Sequence, residues 1–156
     1  MAGEVLDLRC RISRNLFVRR PAPVSERLYS LAEAEGLLPD LIPRLRAIQV
    51  AFATVQGEAR YLPEPTLQDP KRPRLPMRMW KEAVEHDRAI EILRTEIETL
   101  NKLGVELKDP HIGLIDFRHR REGKVVYLCW RLGEQRIDWW HELDSGFPGR
   151  KRLERE

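Results

Sequence analysis

Sulfur is scarce in this chain: 156 residues hold two cysteines, Cys10 and Cys129, far apart and outside any CxxC spacing. A disulfide framework or a structural zinc site would need more sulfur, and the scarcity favours a reducing cytoplasm as the compartment. Long apolar runs are missing too. No stretch approaches the roughly 20 residues a bilayer-spanning helix needs, so no membrane partner is expected, and the N-terminus lacks the apolar centre of an export signal. Nor is one sign of charge in excess: 28 Lys and Arg stand against 25 Asp and Glu, a net +3. Charge alone therefore names no nucleic-acid partner. A Gly-x-Ser-x-Gly elbow, a glycine-rich phosphate loop, paired histidines at metal-ligand spacing and an RNP, KH or helix-turn-helix signature are all absent. The sequence names no catalytic residue, no metal ligand set of its own and no cofactor.

What is present divides unevenly. Residues 1–27 mix arginines and apolar side chains without period and end in Pro21-Ala22-Pro23. They read as an N-terminal extension outside the core, either a disordered tail or translation assigned from too early a start, with Val24 or Leu28 the alternative. Residues 28–153 read as a single α+β domain. In its first helix, Leu31, Ala34, Leu38, Leu41, Leu45, Ile48, Phe52, Val55, Ala59 and Leu62 alternate spacings of three and four, the seam of a helix packed lengthwise on another. Ser30 with Glu33 forms a capping box at its start. Pro39 and Pro43 each remove an i to i−4 hydrogen bond, which predicts a kink or short break near Gly36 to Pro39.

Five of the eleven prolines fall at Pro63, Pro65, Pro70, Pro73 and Pro76, making 63–76 a semi-rigid connector. A second helix follows from about Leu75 to Leu103, with Met79, Ala83, His86, Ile90, Leu93, Ile97 and Leu100 on its seam. His86 reads as a core or interface histidine. Gly104 supplies the left-handed stop, with Val105 folded back on the last turn. The two helices form an antiparallel pair. Their seams leave apolar surface that the β-unit or a second copy of the chain must cover, so a homodimer through the helix seams is expected.

The segment from Gly113 to Arg150 holds three of the four tryptophans and two of the four histidines. It reads as a three-stranded antiparallel meander: Gly113–His119, Lys124–Leu132 and Arg136–Glu142. The first two strands bring their apolar faces together only if paired residue numbers have odd sums. A loop of Arg120 to Gly123 satisfies this by setting His119 opposite Lys124, Phe117 opposite Val126, Ile115 opposite Leu128 and Asp116 opposite Tyr127. Alternation along the third strand puts Ile137, Trp139, His141 and Leu143 on one face and Asp138, Trp140 and Glu142 on the other. Cys129 reads as a small buried hydrophobe, and His111 and His119 as ordinary surface residues at strand edges.

The runs Gly113-Leu-Ile-Asp-Phe117, Val126-Tyr-Leu-Cys-Trp-Arg-Leu-Gly-Glu134, Trp140-His141 and Gly146-Phe-Pro-Gly-Arg150, at this spacing, resemble the bacterial domain of unknown function family twenty-two-oh-three. The opening Leu28 to Leu45 is similar to its usual start, and the likeness covers about Leu28 to Leu153. The resemblance implies a small bacterial cytoplasmic protein of no established activity. Its polar signature falls on Asp116, Arg131, Glu134, His141 and Arg150, beside Trp130 and Trp140 as aromatic lining. Three functions compete for these residues. First comes a structural or interaction module in which they form a buried polar network. Second is a divalent-metal or small-ligand site, hydrolytic in one version, built from Asp116, Glu134 and His141, with Glu142 and Asp144 as further oxygen donors. Third is an RNA-binding accessory protein, resting on the basic clusters Phe17–Arg20, Lys71–Arg74, Arg118–Arg121 and Gly149–Arg152, with Tyr127 or Trp139 to stack on bases.

Overall fold

The computed structural model describes residues 26–58 and 77–154, so residues 1–25 of the extension, the whole connector 63–76, and Ala59 and Leu62 of the first seam lie outside the described residues. Among the described residues two helices, α1 (Leu31–Glu58) and α2 (Met77–Leu103), precede five strands: β1 (Val105–Asp109), β2 (Leu114–Arg121), β3 (Lys124–Arg131), β4 (Trp139–His141) and β5 (Lys151–Arg152). The strands form one antiparallel sheet in the order β1-β2-β3-β4-β5. The class is α+β, with five strands where three were expected.

The capping box opens α1: the Ser30 N–H donates to Glu33 Oε2 at 2.8 Å, and the Glu33 N–H donates to Ser30 Oγ at 3.2 Å. The Ser30 N–H and the Ser30 hydroxyl, both donating to Glu33 Oε2, hold the exposed carboxyl below its ordinary value. Along α1 the seam positions Ala34, Leu38, Leu41, Leu45, Ile48 and Val55 are buried. The break or kink expected at Pro39 is not shown, and one helix runs through both prolines. Pro39 and Pro43 both lie on its exposed face, where the hydrogen bonds their missing N–H groups forgo can be replaced by water.

The helices run antiparallel. Arg44 pairs with Glu96 at 2.8 Å, Leu37 and Leu103 line one groove between them, and Thr54 and Glu85 line another. No helix among the described residues is long and apolar enough to cross a membrane.

Gly104 ends α2 with φ 75, its N–H donating to the Asn101 carbonyl at 3.0 Å. Val105 begins β1 and is buried in the same core as Leu100 of α2. The inner face of the sheet, with Val105, Ile115, Phe117, Leu128 and Trp130, joins Leu41, Leu45, Leu93 and Leu100 of the helices in one core. Much of the apolar surface left by the seams is thus covered from within the chain. Tyr29 fastens the start of α1 to this layer: its N–H donates to the Arg118 carbonyl at 2.8 Å, its hydroxyl donates to the Leu103 carbonyl, and its ring meets Phe117 edge-on at 5.5 Å. The His119 Nδ1–H donates to the Tyr29 carbonyl at 2.7 Å, so His119 is a tertiary tie and not an ordinary surface residue.

The β2–β3 register differs from expectation by two residues. Ile115 faces Trp130, Asp116 faces Cys129 and Phe117 faces Leu128. The connection is a two-residue turn, Glu122-Gly123, with φ 50 and 79. Positive φ at both central positions gives the twist that flanking strands need. Parity survives a shift of two, so every side chain keeps its expected face. Beyond β3, Ile137 enters the core before the strand alternation of β4 begins. Ile137 and Trp140 therefore both face the helices, while Trp139 and His141 face outward.

Candidate functional site

The outer face of the sheet gathers the polar residues. Asp116 on β2 lies opposite Cys129 on β3, and His141 on β4 lies opposite Tyr127 on β3. Asp116 and His141 are thus separated by a whole strand, roughly 9–10 Å at the usual strand spacing. They still meet, His141 Nε2 lying 3.1 Å from Asp116 Oδ2, because the small Cys129 side chain leaves room above β3. Asp116, Cys129 and His141 are all at most 2 % exposed, and one ligand atom from each lies within 4.8 Å of the others.

His141 Nδ1 is 2.7 Å from the Glu142 carbonyl oxygen. A carbonyl only accepts, so Nδ1 carries the hydrogen and Nε2 is the nitrogen that faces Asp116. Burial pushes the Asp116 carboxyl above its ordinary value, against the pull of the Cys129 thiol, His141 and Lys108. Asp116 Oδ1 is buried without a hydrogen-bond partner. Burial, reinforced by the Asp116 carboxyl, pushes the Cys129 thiol up to about 12, so it is no nucleophile at neutral pH.

Two further groups flank this trio. On β1, Glu106 accepts from Tyr127 Oη at 2.7 Å, Lys108 Nζ at 2.7 Å and Arg118 Nε at 3.2 Å. Burial alone would raise the Glu106 carboxyl; the bonds from Lys108 and Tyr127, the Lys108 charge and Arg118 outweigh it and hold the carboxyl below its usual value. The sign for stability follows. A lowered folded-state value contributes stability that is complete above the unfolded value of about 4.5 and is lost as pH falls through the folded one. Asp116, raised, acts the opposite way in acid. Glu106→Gln is therefore expected to flatten the loss of thermal stability below pH 4.5, checked by melting curves from pH 3 to 7.

On the other flank Arg150 grips Glu134 with both ends of its guanidinium, Nη1 to Oε1 and Nη2 to Oε2, each at 3.0 Å. Nη2 also donates to the Cys129 carbonyl at 3.2 Å, and the guanidinium lies 4.7 Å from the Phe147 ring centre and 5.4 Å from that of Trp139. The Arg131–Glu134 turn presents the carboxylate, with the Arg131 N–H donating to Glu134 Oε2 at 2.8 Å and the Trp130 indole N–H to the Glu134 carbonyl at 3.1 Å. Gly149 delivers Arg150 through a tight path: a Cβ there would lie 2.6 Å from Ser145 Cβ, the root of a side chain that cannot swing away.

The structure thus forms two pairs, Asp116 with His141 and Glu134 with Arg150, joined through Cys129. Arg131 contributes its backbone while its side chain is exposed. Trp130 lies in the core, and the Trp140 ring sits between the cations of Arg121 and Lys151 on the helix side. Neither tryptophan lines the polar cluster. The Glu142 carboxylate is paired with Lys151 and Asp144 is exposed, so neither carboxylate joins His141. Tyr127 is 6 % exposed with its hydroxyl on Glu106, which removes it as a base-stacking platform. Sequence reasoning passed over Cys129, Glu106 and Lys108. The first needed the register to reveal it, and the other two needed β1. The two described grooves lie between the helices and reach none of these residues.

The family model described as Uncharacterized conserved protein (DUF2203) matches residues 27–153. No curated protein and no solved structure matches the chain.

Proposed function

The chain belongs to the DUF2203 family of uncharacterized conserved proteins, and from that premise we propose that it is a structural or interaction module whose sheet is fixed by a buried polar layer. The observation that carries this is how the polar groups are spent. Asp116 faces His141, Glu134 is held at both oxygens by Arg150, and Glu106 takes three donors. Such networks specify one strand register because slipping it by two residues would strand every charge. A double-mutant cycle with Asp116→Asn and His141→Gln, run on chelator-treated protein, is expected to show a coupling above about 1 kcal/mol. Additive effects would remove the reading. The same reading keeps the homodimer: Val50 and Val84, 69 % and 63 % exposed, are apolar surface on the helix pair that the sheet does not cover. A single-chain mass by light scattering at micromolar concentration would end that part.

The second reading, a metal or small-ligand site, has one observation in its favour, the mixed trio of Asp116, Cys129 and His141. Glu134 plays no part in it, being committed to Arg150.

A further inference from the structure

Going beyond the module reading, we infer that Asp116, Cys129 and His141 form a binding site for one borderline divalent cation of the Zn²⁺ class, held by a carboxylate oxygen, a thiolate and an imidazole Nε2. The three residues come from three adjacent strands, β2, β3 and β4, so an ion there would staple the middle of the sheet. Four features point the same way. The ligand atoms already lie within 4.8 Å of one another; around a tetrahedral ion with bonds of about 2.0–2.3 Å they stand roughly 3.3–3.8 Å apart, a contraction of an ångström or so that rotamer adjustment supplies. His141 has its Nδ1–H on the Glu142 carbonyl, the outer-shell bond that metal-ligating histidines use to fix the tautomer and free the other nitrogen. Asp116 Oδ1, nine-tenths buried and more, has no hydrogen-bond partner among the described residues, and a buried orphan oxygen of this kind calls for a missing partner. The ammonium of Lys108, 3.9 Å from Asp116 Oδ2, is itself held by Glu106 at 2.7 Å and so is largely compensated.

The donor set selects the class of ion. A thiolate with an imidazole suits Zn²⁺, Co²⁺ or Fe²⁺ and disfavours Mg²⁺ and Ca²⁺, which want oxygen only. On binding, the ion displaces the thiol proton of Cys129, together with any proton held between Nε2 and Oδ2, and forms three bonds to the protein. A fourth ligand would be water, and the burial of the trio gives a substrate no direct path to it. The ion's role is therefore to hold the sheet.

The test uses the untagged full-length chain carrying Cys10→Ser, so that Cys129 is its one thiol. Chelator-washed protein is titrated with Co²⁺ and then Zn²⁺. One equivalent of Co²⁺ per chain is expected, with a thiolate-to-cobalt charge-transfer band that Zn²⁺ abolishes. Cys129→Ser is expected to lose the band, and Asp116→Asn to weaken Zn²⁺ binding at least tenfold. A folded parent chain that takes up Co²⁺ without the band, or none at all, overturns the inference whether or not the variants fold. Because the parent is read directly, failure here with the Asp116–His141 coupling intact leaves the module reading standing. Binding with zero coupling does the reverse.

Discussion

Arg150→Ala is expected to lower the stability of the folded chain by about 3 kcal/mol, in the range for breaking a buried ion pair by removing one partner. The side chains of Arg150 and Glu134 are 11 % and 17 % exposed, so solvent screens the pair little. Removing the guanidinium leaves the Glu134 carboxylate with the Arg131 N–H as its one remaining donor, leaves the Cys129 carbonyl without its side-chain donor, and takes the cation from between Phe147 and Trp139. For a domain of this length 3 kcal/mol corresponds to a fall in Tm of roughly 10 °C. Glu134→Gln should cost less, because an amide oxygen still accepts from one arm of the fork. Arg131→Ala is the contrast: its side chain is exposed and its contribution is a backbone N–H, so a change within about 0.5 kcal/mol is expected. Thermal melts of the three variants decide the matter. Equal losses at Arg150 and Arg131 would mean that the observed fork carries no special weight.

The contrast between those two arginines shows what the chain alone discloses. Both belong to the signature of the family resemblance, and nothing in composition or spacing separates them. Arg131 sits at the end of β3 and Arg150 follows a turn that two glycines allow, Gly146 at φ 59 and Gly149 against Ser145. Only the fold says which one reaches Glu134. The helices were far more legible, because a three-four spacing of Leu, Ile and Ala is a local signal that needs no partner to be read. The capping box at Ser30 and the stop at Gly104 are local in the same sense. Where non-local pairing decides, the reading thinned. β1 is five residues long and follows the helix stop directly, so Val105 looked like the end of a helix and the whole strand, with Glu106 and Lys108, was passed over. The Glu122-Gly123 turn places a glutamate at positive φ, which the usual asparagine-glycine signal does not announce. The face of each side chain came through, since parity is unchanged by a shift of two, but the identity of Asp116's neighbour did not. Moving the register from Tyr127 to Cys129 turns an ordinary outward pair into a carboxylate, thiol and imidazole cluster.

Cys129 is expected to be modified by iodoacetamide at least a thousandfold more slowly in the native, metal-free chain than in the unfolded one. Two barriers stand in the way. Its side chain has no exposed surface. Its thiol, pushed from 9.0 to about 12, holds at pH 8 roughly a thousandth of the thiolate an ordinary cysteine would. Attack through global unfolding offers no faster route, since a stability of 5 kcal/mol keeps only about one chain in several thousand open at a time. Peptide-resolved mass spectrometry separates Cys129 from Cys10, which lies outside the described residues. A native rate within tenfold of the denatured control would show an open, ionised thiol, and with it a catalytic cysteine that burial at this position forbids. The expected protection leaves two roles for the sulfur, a packed neighbour of Asp116 or a ligand that gives up its proton only to a metal. The Co²⁺ band tells these apart, because packing alone produces no charge transfer.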